Sequence, residues 1–316
     1  MARWSRPVFV EPMPLLLSRT AARATVLNLL LSLRPRQWTK NLIVFAGLIF
    51  GERLTDPRAV AQALAAFAIF CALSGVVYLL NDLADREIDR QHPAKARRPI
   101  AAGLVAPRVA LSSAFILGSL ALAAAYWLGR WFGHTALAYL GLMALYSMSL
   151  KRVVILDVLT IAVGFVLRAA AGAVVIDVPI SHWLLVLTVL LALFLALSKR
   201  RQELVALAGQ AANHREILGE YSAELLDQMI AIVAAATLIS YAIYTISPET
   251  VQKFGTDLLG LTLPFPMYGI FRYLYLVHQK TDGGSPADTL LTDRPLLACV
   301  ALWGLAVIAI IYGRPS

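Results

Sequence analysis

Apolar residues fill this chain in long blocks, each closed by a short polar or basic stretch, and the blocks approach the length an α-helix needs to cross a bilayer. Nine can be drawn, near residues 37–54, 59–80, 107–129, 133–150, 153–176, 180–198, 225–247, 258–277 and 294–313. The pattern predicts an all-α integral membrane protein: a bundle of nine transmembrane helices over residues 37–313, preceded by an N-terminal segment, residues 1–36. The first and fourth blocks are the most polar. One opens with Trp38, Thr39 and Lys40, and the other leans on Ala136 to Leu145. Losing either helix would invert every later one. Val26 to Leu33, closed by Arg34 and Arg36, has the make-up of a helix lying in the membrane interface. Upstream, Glu11, Pro12 and Pro14 interrupt the apolar stretch Val8 to Leu17, which argues against a cleaved signal peptide.

Composition sharpens the reading. At 59% hydrophobic and 15% charged residues, with a mean hydropathy of +0.71, the 316-residue chain lies outside the range of soluble domains. The formal charge of +9 would suit a nucleic-acid binder. The cations, however, sit at the ends of the apolar blocks, which points to membrane lipids and cytoplasm and not to nucleic acid. With the N-terminus in the cytoplasm, 22 of the 28 Lys and Arg fall on that side. Only Arg53, Arg58, Arg130, Lys253 and Arg314 fall on the other, and Arg168 lies within the fifth block. This asymmetry predicts a multi-pass protein of the cell (inner) membrane, N-terminus cytoplasmic and C-terminus outside. Cys71 and Cys299 both lie in apolar blocks, so neither a disulfide framework nor a thiolate metal site is expected.

The chemistry starts at Asn81-Asp82-Leu83-Ala84-Asp85-Arg86-Glu87-Ile88-Asp89, directly after the second block. If that helix continues, steps of about 100° bring Asp82, Asp85 and Asp89 within roughly 60° of one another, with Asn81 beside them and Glu87 on the far side. Three carboxylates on one face repel unless a cation sits between them. Oxygen-only ligands suit Mg2+, which commonly takes one or two carboxylates together with water and substrate phosphate. The plain alternative is a solvated helix end balanced by Arg86 and Arg90. A basic loop follows, Arg90-Gln91-His92-Pro93-Ala94-Lys95-Ala96-Arg97-Arg98-Pro99, which either marks topology or closes over metal-bound phosphates. Lys40 is the matching cation from the first block, and Lys151-Arg152, Lys199-Arg200-Arg201 and Asp293-Arg294 lie at further cytoplasmic ends. Arg168, mid-span, must face a cavity or a counter-charge, or pair with Asp157 or another helix.

One acidic face and several cationic ends describe a site for two phosphorylated groups, the acids holding a diphosphate through Mg2+ and the cations a second phosphate. No nucleophile–base pair is apparent. The economical reaction is departure of a neutralised diphosphate from a carbocation-like centre that an already ionised acceptor attacks.

Asn81-Asp82-x-x-Asp85-x-x-x-Asp89 after the second helix resembles the first aspartate-rich motif of the UbiA-type intramembrane prenyltransferase superfamily. The resemblance implies a nine-helix UbiA-like bundle with a lipid-accessible, cytoplasm-facing active-site cavity. The superfamily usually carries a second aspartate-rich motif after the sixth helix, where this chain reads Ser198-Lys199-Arg200-Arg201-Gln202-Glu203-Leu204. That departure speaks against the alternative activity, transfer from an allylic diphosphate to an aromatic or quinone-precursor ring. Four further stretches add to the resemblance: Leu33 to Asn41, Tyr146 to Lys151, Gly164 to Arg168, and Leu291 to Pro295, together with His214-Arg215. In this combination, over about residues 30–313, the chain is similar to superfamily members that move 5-phosphoribose from 5-phosphoribosyl 1-pyrophosphate to a polyprenyl (decaprenyl) phosphate, in arabinan precursor synthesis. The similarity implies Asp82, Asp85 and Asp89 as catalytic residues and, with Asn81, as ligands of Mg2+, for which Mn2+ could substitute. Lys40, Asn81, Asp82, Lys95, Arg97 and Arg98 are implied at the donor, and Lys151, Arg152, Arg168, Lys199, Arg200 and Arg201 at the acceptor phosphate. A homo-oligomer is left open. A transporter or lipid carrier is the non-enzymatic alternative, but the charges gather at one level and no inverted repeat is apparent.

Overall fold

The computed structural model describes residues 15–91, 95–206, 216–279 and 286–313, with the side chains of 15–23, 216 and 287 excepted. His214 and Arg215, part of the expected motif set, lie outside the described residues, as do residues 1–14 of the N-terminal segment. All described elements are helical. In chain order the α-helices are α1 Leu15–Ser32, α2 Ala46–Phe50, α3 Pro57–Ala84, α4 Arg86–Gln91, α5 Pro107–Leu128, α6 Arg130–Met148 and α7 Leu156–Val175. They continue with α8 His182–Ala206, α9 Ala223–Ile246, α10 Pro248–Phe254, α11 Pro264–Gln279, α12 Pro286–Thr292 and α13 Arg294–Tyr312. Short 3-10 helices join several of them.

Starts are set by local chemistry. Asp56 accepts the Arg58 and Ala59 amides before Pro57, and Asp293 accepts the Leu296 amide before Pro295. Ser222 caps α9 through the Leu225 amide. In each case a side-chain oxygen satisfies an amide that the first turn leaves unpaired.

Six of the described helices, α3, α5, α7, α8, α9 and α13, are long and apolar enough to cross a membrane. The chain is therefore a multi-pass membrane protein. The other three expected spans are helical too, but are shorter or more polar. The fourth is α6, and the eighth is a 3-10 turn, Leu258–Thr262, running into α11. The first departs most, being a 3-10 helix, Pro35–Phe45, that passes into α2. Runs of that winding beyond three or four residues are uncommon. It also stretches the chain: 11 residues at about 2.0 Å and 5 at about 1.5 Å reach roughly 30 Å, the thickness of a hydrocarbon core.

Packing follows membrane rules, in which lipid supplies no hydrophobic drive and close backbone approach replaces it. Ala59, Ala63 and Ala66 of α3 and Ala121 and Ala125 of α5 are buried, around a cluster of Phe70, Phe132 and Tyr139. A second cluster, with Phe194, Leu226 and Tyr273, joins α7, α8, α9 and α11. The tightest approach is between the 3-10 helix and α7. A Cβ on Gly172 would lie 1.9 Å from the Val44 carbonyl oxygen, and one on Gly47 would lie 2.8 Å from the Ala173 nitrogen. Gly141 in α6 faces open space. Gly172→Ala should lower the thermal midpoint in detergent by the equivalent of about 1–3 kcal/mol. Gly141→Ala should leave it unchanged or slightly raised; scanning fluorimetry of the two variants reads the difference.

Candidate active site

The acidic motif straddles a break. α3 carries Asn81 and Asp82 in its last turn and ends at Ala84, Asp85 caps it, and α4 carries Asp89. The continuous helix expected through Asp89 is not formed, and the three carboxylates separate into two environments. Asp82 is 2% exposed, and Asp89 is buried as deeply. Both converge on one guanidinium nitrogen: Arg98 Nη1 donates to Asp82 Oδ1 at 3.0 Å and to Asp89 Oδ2 at 2.6 Å. Arg34 pairs with the same Asp82 oxygen. Asp85, with 39% of its side chain exposed, stands aside and accepts from Lys151 Nζ at 3.3 Å. Asn81 Oδ1 accepts from Ser147 Oγ at 2.6 Å, tying α3 to the end of α6. Glu87 lies exposed on the far side, paired with Arg90.

Arg34 was not among the residues singled out from sequence. It sits between α1 and the 3-10 helix with φ 53°, a left-handed turn that few residues other than glycine adopt. The turn swings its guanidinium to Asp82 and over the Tyr78 ring, 4.7 Å from the centroid. Its signals in the sequence are its place in the Leu33 to Asn41 stretch and the proline that follows it at a helix junction. Lys40, further along the 3-10 helix, is half-buried in the fields of Arg168, Arg34 and Asp288. In the loop after α4, Arg98 faces the acids while Arg97 is exposed and Lys95 is half-buried.

The six cations expected at the acceptor phosphate do not form one face. Lys151 and Arg152 occupy a short 3-10 turn, Leu150–Arg152, with Arg152 exposed. Lys199 lies 3.6 Å from Glu203. Arg200 is 1% exposed and already matched: its Nε donates to Asp157 at 2.7 Å, Nη1 to Glu203 at 2.7 Å and Nη2 to the Tyr146 hydroxyl at 3.4 Å. Arg201 pairs with Asp227, which His278 also contacts at 3.2 Å. Arg168 is buried against Asn41, Gly164 and Tyr139, and the sequence-level pairing with Asp157 is replaced by Arg200. Arg294 follows Asp293, which is paired with Arg272 at 2.8 Å. The bond from Arg200 to Tyr146, next to Ser147, keeps the α8 cations at the same end of the bundle as the acids.

Asp157 is positioned by a strained turn. Ile155 has φ 68° and ψ −43°, and the Leu156 amide donates back to the Val154 carbonyl at 2.8 Å, which is a γ-turn of the rare positive-φ kind. The Tyr221 hydroxyl accepts from the Ile155 amide at 2.8 Å and donates to Asp157 at 2.9 Å. Burial pushes that hydroxyl up to about 12, and the bond to Asp157 holds its proton in place.

Whether this donor set suits a divalent cation can be judged from its oxygens. Among the described residues no group of three His, Cys, Asp or Glu side chains is gathered for a metal. Two buried carboxylates converge instead, the number that Mg2+ commonly takes when phosphate and water complete its shell. The set fits a hard cation whose remaining positions other oxygens fill.

The chain belongs to the UbiA prenyltransferase family, whose match covers residues 41–291. It is 32% identical over 301 residues to the decaprenyl-phosphate phosphoribosyltransferase of Mycolicibacterium smegmatis, covering 91% of this chain and 93% of that protein. The protein of the same name in Mycobacterium tuberculosis is 32% identical over 287 residues, covering 87% and 93%. A UbiA homolog from Archaeoglobus fulgidus, solved with GPP and Mg2+, shares the fold at TM-score 0.70 and 20% identity, over 90% of this chain and 99% of that one.

The two arginines of α8 separate by burial. Arg200→Leu strands Asp157, which is fully buried, and should cost about 3–5 kcal/mol. Arg201→Ala leaves a half-exposed Asp227 and should cost under about 1 kcal/mol. Yield and thermal midpoint after detergent extraction will rank them.

Proposed function

We propose that this protein transfers 5-phosphoribose from 5-phosphoribosyl 1-pyrophosphate to a polyprenyl phosphate and releases pyrophosphate, supplying a precursor for cell-wall arabinan. The observation that carries the reading is the convergence of Asp82 and Asp89 with Arg34 and Arg98, and of Lys40 nearby, at one end of a lipid-embedded bundle. The relatives that match nearly the whole chain support it.

Arg34 and Arg98, already against the carboxylates, turn to the donor phosphates, with Lys40 and Lys95 beside them. Asp82 and Asp89, with Asn81 in support, hold Mg2+. When bound, that ion neutralises the diphosphate and makes it a better leaving group. The bond from C1 to pyrophosphate oxygen breaks and its electron pair leaves with pyrophosphate. An oxygen of the lipid phosphate, ionised beforehand, forms the new bond to C1 from the opposite face and inverts that carbon. No proton moves, so no general base is required. Lys151, Arg152 and Lys199 receive the acceptor phosphate at the rim, whereas Arg200 and Arg201 are spent on Asp157, Glu203 and Asp227.

Among the described residues, that commitment of Asp157 and Glu203 to Arg200 leaves no second acidic face at the end of α8, as transfer of an allylic group held by metal on both sides would need. The bundle crosses the membrane nine times, the extended 3-10 helix included, with the N-terminus and the active-site cavity cytoplasmic.

Membranes given labelled 5-phosphoribosyl 1-pyrophosphate and polyprenyl phosphate should form labelled lipid, and a chelator should stop it. Asp82→Asn and Asp89→Asn should each lower kcat/KM by about 100-fold or more, with Asp85→Asn milder. No labelled lipid, but product from an allylic diphosphate, would replace this reading with the prenyl-transfer one. Topology has its own check, since Cys71 and Cys299 are buried. Arg108→Cys should react from the cytoplasmic side of sealed vesicles and Arg58→Cys from the opposite side.

A further inference from the structure

We infer that Arg168 is a positioning residue, one that locks the 3-10 helix carrying Lys40 and does not itself meet the acceptor phosphate. The inference rests on the functional reading above for what Lys40 does, but not for what Arg168 holds.

Arg168 is 6% exposed in the middle of α7. Its Nε donates to Asn41 Oδ1 at 2.8 Å, Nη1 to the Gly164 carbonyl at 3.0 Å and Nη2 to the Tyr139 hydroxyl at 2.7 Å. The Tyr139 and Phe165 rings lie 4.6 and 5.1 Å from its guanidinium carbon. All three nitrogens are engaged and the planar group is walled by aromatic faces. A phosphate could reach it only by dismantling this cradle.

The contact with Asn41 is the one that links α7 to the site. Asn41 is fully buried, and its amide is oriented from both ends. Its oxygen faces Arg168, while its nitrogen donates to Ser74 Oγ at 3.1 Å and Cys71 Sγ at 3.3 Å on α3. One turn further along each helix, the Gly172 backbone meets that of Val44. The next residue of α7, Ala173, meets Gly47, three residues beyond Val44.

These contacts explain the unusual winding. With three residues per turn, Asn41 and Val44 stack in one line facing α7 and Gly47 follows in the first turn of α2, whereas α winding would turn Val44 about 60° away from Asn41. Gly172 and Gly47 permit the approach, and Arg168 supplies the polar anchor that sets its register. Lys40 precedes the anchored residue, so its direction follows from that register. In an ordinary α-helix the same lysine would point elsewhere.

Arg168→Lys keeps the charge, but its single ammonium nitrogen cannot span the three acceptors that the guanidinium meets with three separate nitrogens. Asn41→Ala leaves the arginine in place and removes the link, together with the bonds from Asn41 to Ser74 and Cys71. Both should raise KM for 5-phosphoribosyl 1-pyrophosphate about tenfold with KM for polyprenyl phosphate unchanged. The double variant should be no worse than either single one. Amide hydrogen exchange across residues 35–45 should accelerate in both single variants relative to α5. A rise confined to the acceptor KM, multiplying effects, or unchanged exchange in Asn41→Ala would each overturn the inference. Asn41→Ala carries the test alone if Arg168→Lys does not fold. Should the wild-type protein transfer no phosphoribose, the functional reading fails, and the exchange measurement still decides the role of Arg168.

Discussion

A carboxylate cannot stay ionised at the margin of a hydrocarbon layer without a partner, and the arrangement around Asp82 and Asp89 answers that constraint. Two buried acids share one arginine and a second arginine reaches the same oxygen, so anions and cations balance within a few ångströms. The neighbouring irregularities serve this balance. The left-handed turn at Arg34, the helix break at Asp85 and the loop holding Arg98 each bring a cation, or a carboxylate, to a point that straight helices would miss. In the transfer proposed above, a diphosphate arriving with a divalent cation would replace one nearly neutral assembly by another, so the exchange of partners would involve little net transfer of charge out of water.

The second basic end works differently. Arg200 is held by Asp157, Glu203 and Tyr146, and Asp157 is held in turn by Tyr221 and a strained turn at Ile155. This network joins α6, α7, α8 and the segment before α9, and its members are saturated. It is a brace at the level of the site. The exposed cations around it, Arg152 among them, remain the ones able to greet a soluble or lipid-borne anion.

Much of this was legible in the sequence. The block near 107–129 became Pro107–Leu128 and that near 153–176 became Leu156–Val175, because continuous apolar runs of that length have few alternatives in lipid. The acidic motif was legible because oxygens at helical spacing are chemically distinctive. The winding of Pro35–Phe45 was not, since it depends on Arg168 and Gly172, more than a hundred residues away. Nor was the division of labour among the arginines. Arg168, Arg200 and Arg201 look alike in a string of letters, yet the first meets neutral oxygens and the others meet carboxylates from distant helices. The parting of Asp85 from its two companions escaped detection because periodicity assumes that the helix goes on.

The cradle of Arg168 has one more effect, which needs no contact at all. Its three acceptors are an amide, a peptide carbonyl and a phenol, so its full positive charge is left standing in a poorly screened interior. At an effective dielectric of about 20, such a charge attracts a unit anion ~10 Å away by roughly 1.7 kcal/mol. An anion at that distance would feel the charge without touching the side chain, and because three bonds and two rings fix where the guanidinium stands, the pull would have one fixed origin.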